Sequence, residues 1–130
     1  MKKAFKIIAL LVLGYIGLAL LSIWGDYLLP YYLDELDCVN IESTDFDFGG
    51  LQEHHWTVLG KLEAPIPDTW QPEFDMKYSE CEHHIDIFRN HCPDIQTNDV
   101  VGYTLPSNPS LHAVILHHRT DGRIYVSMWR

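Results

Sequence analysis

The stretch CEHHIDIFRNHC, Cys81 to Cys92, gathers two cysteines and three histidines into twelve residues. Such side chains ligate transition metals, close disulfides, or pair an imidazole base with a thiol nucleophile. Adjacent histidines recur at His54-His55 and His117-His118. Neighbouring residues of a strand face opposite sides, so each pair sends at most one ring toward a common point, and three rings suffice for zinc or copper. Within one helix two ligands share an ion only at i,i+3 or i,i+4, which Cys81 and His84 satisfy. The metal reading therefore names Cys81, His84, His54 and His117, with zinc or copper as the ion.

The element beneath these residues decides between the chemistries. Ser79-x-x-Glu82 has the pattern of a capping box, and Pro93 stops whatever lies between, which predicts a helix from Glu80 to His91. Tyr78, Cys81, Ile85, Phe88 and Cys92 then fall on one apolar stripe. Alternation in HIDIF supports a competing strand. On the helix Cys81 and Cys92 stand roughly 16 Å apart, whereas a disulfide needs Cα atoms within about 7 Å. The expected bridge is Cys38 with Cys81 or Cys92; a local Cys81–Cys92 loop follows only from the strand, and three buried thiols are the remaining alternative. His91 and Cys92 splay apart on a helix and make no dyad.

The rest of the chain sets the location. Ile7 to Trp24 carries no charge and as a helix spans roughly 27 Å, close to the hydrocarbon thickness of a bilayer. Lys2, Lys3 and Lys6 precede it and Asp26 follows, which places the N-terminus in the cytoplasm and the remainder across a bacterial inner membrane. Trp24, Tyr27, Tyr31 and Tyr32 match an interfacial aromatic belt. A cleaved signal peptide is the rival, but the apolar run is long and its best cleavage site is the weak IWG ending at Gly25. Residues 1–29 thus read as a single-pass signal-anchor and residues 30–130 as one extracytoplasmic, periplasmic domain, with Pro30 ending the anchor or starting a new turn.

Residues 26–130 hold all 18 acidic residues and six basic ones, a net charge of −12. That field repels nucleic acid and attracts cations and basic proteins. STDFDFGG and HHWTVLGKLEA read as strands, PIPDTWQP as a loop, and VVGYTLP as a neighbour of a final hairpin. In LHAVILHHRTDGRIYVSMWR, a two-residue turn at Asp121-Gly122 would set Ile115 opposite Met128 and His117 opposite Val126. Apolar residues on both faces of 111–116 mark a central strand. The fold class is α+β: an N-terminal transmembrane helix, then a mostly antiparallel sheet of four or five strands and one main helix.

No nucleophile with a base, no catalytic carboxylate pair and no phosphate-cradling glycine loop is recognisable. The reading is a non-catalytic, membrane-anchored protein-binding module with a basic protein partner, as an immunity or inhibitor protein or an accessory subunit of an envelope complex. It uses no cofactor; the alternative is a zinc- or copper-binding protein. Trp56, Trp70 and Trp129 are the aromatics able either to anchor a partner or to fill the core.

Overall fold

A computed structural model describes residues 1–49, 53–73 and 81–130. The chain opens with α1 (Lys2–Tyr27), a helix none of whose side chains is buried by the protein. It is long and apolar enough to cross a membrane. Leu28 ends it, and α2 (Leu29–Tyr32) starts a new turn with Pro30 in its first turn, where the missing N–H breaks no helical hydrogen bond. A 3₁₀ turn at Asp34–Leu36 leads into β1 (Val39–Phe48). Then follow β2 (His54–Leu62), β3 (Gln71–Pro72), α3 (Cys81–His91), a 3₁₀ turn at Thr97–Asp99, β4 (Val100–Thr104), β5 (His112–His118) and β6 (Arg123–Trp129).

The strands form one antiparallel sheet in the order β1-β2-β6-β5-β4-β3. The α+β class is as expected, with one strand more than the four or five anticipated. The extra strand is β3, two residues at the end of the proline-rich segment. Pro72 is tolerated there because an edge strand needs no donor on its outer side.

Both faces of the sheet are covered, which explains why Ile124 to Met128 is buried residue after residue. On one face, Trp56, Val58, Ile115, Val126 and Met128 pack with Trp70, Leu105 and Leu111 and with the segment that follows α1. That segment contributes Leu29, Leu33, Leu36 and Cys38, and Pro30 is fully buried. On the other face, Ile85 and Phe88 of α3 and Ile95 meet Val114, Leu116 and Tyr125. α3 is a helix, as the apolar stripe predicts rather than the HIDIF alternation; the capping-box Ser79 and the stripe residue Tyr78 lie outside the described residues. Trp56 and Trp70 are core residues, 0% and 3% exposed.

The final hairpin forms with a different register from the one expected. Ile115 pairs with Val126 and His117 with Ile124, leaving Arg119 to Gly122 as a four-residue loop. A two-residue type I′ turn needs positive φ at both central residues, and among the described residues Gly122 alone of these has it, at φ 76°. Asp121 instead keeps negative φ and uses its carboxylate, accepting from the Arg123 N–H at 3.1 Å. The slip is two residues, so every side chain keeps its face.

Gly60 is required by close approach. It pairs with Ile41 beside the bulge that Glu42 makes in β1, and a Cβ there would collide with the Asn40 carbonyl oxygen and crowd Val39. Gly60→Ala should cost roughly 1–3 kcal/mol of stability, read as a lower urea midpoint; an unchanged midpoint would show that β1 can yield.

Candidate functional site

The three histidines of the metal reading occupy separate parts of the fold. His54 and His117 lie on the face covered by the segment after α1, and His84 lies against the other. His117 pairs with Ile124, which pairs with Gly60, six residues along β2 from His54 and so roughly 20 Å away. The Cys81 side chain lies outside the described residues. Among those described, no group of three His, Cys, Asp or Glu side chains converges on one point. Cys38 and Cys92 are free thiols packed in the cores of opposite faces, so the fold does not bring that pair together. Burial pushes the Cys38 thiol pKa up, the reverse of what a reactive thiolate needs.

The two pairs on strands, His54-His55 and His117-His118, are split by the pleat, as expected, but the rings enter other networks. His54 is 9% exposed, with its ring among Phe46, Phe48 and Trp56. Its Nδ1 lies against the Asp26 carboxylate at ion-pair range without a well-directed hydrogen bond, and its Nε2 has no hydrogen-bond partner. On the other side of the pleat, His55 Nε2 is 2.9 Å from Ser127 Oγ. On the same face of β6, Tyr125 Oη is 3.1 Å from His84 Nδ1. The His84 ring stacks on Trp129, which stacks in turn on His112. Burial raises the Tyr125 phenol pKa. Tyr125 and His84 are buried, so their contact fixes α3 to the sheet.

At the opposite end of the strands, His118 Nδ1 is 2.8 Å from Asp121 Oδ1 and its Nε2 accepts from the Gln96 N–H at 3.3 Å. The main-chain donor assigns the proton to Nδ1 and uses the lone pair that a general base would need. Arg123 completes the cluster with two bonds to Asp94, 2.8 and 2.9 Å. Partial burial raises the Asp121 carboxyl, but hydrogen bonds from His118 and Arg123 outweigh it and hold the pKa at about 2. The cluster ties the β5–β6 loop to residues 94–99. The i,i+3 spacing of His118 and Asp121 was its only local signal in the sequence.

The surface with most capacity for a partner is the β1 edge. Of the two sheet edges, β3 has two residues and β1 has ten. Among the described residues the outer backbone of β1 therefore offers roughly 34 Å of open ladder. Residues 37–49 and 53–63, which include β1 and β2, carry Asp37, Glu42, Asp45, Asp47, Glu53 and Glu63 against the single base Lys61. All seven are exposed. None of the six carboxylates is in an ion pair among the described residues. Sequence reasoning found the strand and the charge, but edge position is a long-range property that no local pattern encodes.

No protein-family model, curated protein or solved structure matches the chain.

His117 generates a pH prediction. Burial, then the neighbouring His118 and Arg119, lower its pKa below 6.5. The unfolded ring takes up a proton that the folded ring resists, so its contribution is complete above pH 6.5 and is lost as pH falls through the lowered folded value. Between about pH 7.5 and about pH 5.5 the urea midpoint should fall, and His117→Gln should fall less. Equal losses would assign the pH dependence elsewhere.

Proposed function

We propose that this protein is a non-catalytic, membrane-anchored binding module that takes a basic protein partner on the acidic β1 edge. One observation carries the reading: the long open edge and three of the uncompensated carboxylates, Glu42, Asp45 and Asp47, are on the same element. An unpaired strand edge offers N–H and C=O groups to an added strand, and flanking carboxylates select a basic one. The same charges and the bulge at Glu42 discourage pairing with a second copy. Repulsion of itself and attraction of a basic partner are here one property.

In this reading α1 is an uncleaved signal-anchor in the bacterial inner membrane. Lys2, Lys3 and Lys6 hold the N-terminus in the cytoplasm, and the domain from residue 30 on is periplasmic. The partner classes that fit are a basic toxin or hydrolase, neutralised by an immunity or inhibitor protein, and a basic subunit of an envelope complex to which this chain is accessory. The metal reading has no geometric support among the described histidines.

A photo-crosslinking residue placed at Asp45 of the full-length protein in its own membrane should capture a basic partner. Reversing Glu42, Asp45 and Asp47 to Lys should slow association by about 10- to 100-fold at low ionic strength, with the difference shrinking as salt rises. Association indifferent to both charge and salt would remove this edge from the interface. The intact mass of the membrane-bound chain should include the first 25 residues, and a mature form beginning near Asp26 would refute the anchor.

A further inference from the structure

The geometry points to a second contact with the membrane: the end of the sheet formed by Phe48, His54 and Arg130 rests in the headgroup layer beside the anchor. This rests on the reading of α1 as a retained membrane span. Asp26 stands two residues past Trp24, the last residue of the uncharged run. Since α1 continues unbroken to Tyr27, that is roughly 3 Å along the helix axis. The headgroup layer is roughly 5–8 Å deep on each side, so Asp26 is inside it.

Asp26 is also where the helix is fastened to the sheet. Its carbonyl accepts from Trp56 Nε1 at 2.6 Å. Its carboxylate lies against His54 Nδ1 and accepts from Arg130 Nη1 at 3.1 Å. One residue on, the Tyr27 ring meets Phe46 edge to face at 5.9 Å, and Phe48 lies 5.1 Å from the His54 ring. The end of β1, the start of β2 and the chain terminus after β6 are thereby held at headgroup depth.

The side chains exposed at this end suit that layer. Phe48 is 42% exposed and Tyr27 46%, and aromatic rings favour the membrane interface. Arg130, 43% exposed, presents a guanidinium able to bond lipid phosphate. The Asp121–Arg123–Asp94 cluster sits at the other end of the strands, the length of β2 away, roughly 25–30 Å. With Asp47 and Glu53 flanking the rim, the contact is aromatic and phosphate-directed, and it needs no anionic lipid.

The test uses the full chain in phosphatidylcholine nanodiscs containing a lipid spin-labelled near the headgroup, with amide signals followed by NMR. Signals of α1, of Asp47 and Phe48, of His54 and of Arg130 should be attenuated at least about twofold more than that of Gly122, given the strand length between them. Phe48→Ser should lessen the attenuation at Arg130 and leave that in α1 intact. Attenuation in α1 with Phe48 and Arg130 as untouched as Gly122 would overturn the seating and spare the anchor. Loss of attenuation in α1 itself would overturn both.

Discussion

The centre of the sheet is apolar on both sides, and this constraint organises the molecule. Ile124 to Met128 and Ala113 to Leu116 cannot be half-solvated strands, so each face needs a cover. α3 supplies one. The other comes from the chain directly after α1, where Leu29, Pro30, Leu33 and Leu36 close over Val58, Ile115 and Val126. The long apolar helix α1 is therefore joined to the domain by a segment that belongs to the core. What a hydropathy profile shows as a connector is a structural layer.

From this follows a fixed relation between helix and sheet. With the segment after α1 buried, Asp26 is brought against His54, Trp56 and Arg130, and the strands acquire an end beside α1 and an end distal to it. The polar contacts divide accordingly. Tyr125 and His84 lock the helix layer onto one face, while His118, Asp121, Arg123 and Asp94 close the distal loop. His55, His84 and His118 have Ser, Tyr, Asp and main-chain partners, whereas the His54 ring packs among aromatics beside Asp26. β1 is left as the element with an unused hydrogen-bonding edge and unneutralised charge.

How much of this was legible in the sequence depended on whether the signal was local. The uncharged run, the apolar stripe of Ile85 and Phe88, and the two-sided burial of 111–116 are periodicities, and α1, α3 and the central place of β5 follow from them. The hairpin was legible in place but shifted in register. The Asp121-Gly122 pair suits a two-residue turn, and the bonds from Asp121 to His118 and Arg123 that favour a longer loop are not visible in a dipeptide. β3 was hidden because prolines argue against a strand unless the strand is known to be an edge. The histidine pairs misled for the same reason: pleating predicts that each pair splits, but only strand order tells that His54 and His117 are rows apart. The candidate site was legible as composition, in Asp45 and Asp47, and illegible as an edge.

The central claim is that the β1 edge receives the partner. Amide hydrogen exchange of the full-length protein, alone and in the complex isolated with it from its membrane, tests this directly. The account predicts that the outward amides of Val39–Phe48 exchange fast in the free protein and become protected in the complex. Protection elsewhere, with β1 exchanging as fast as before, would contradict it.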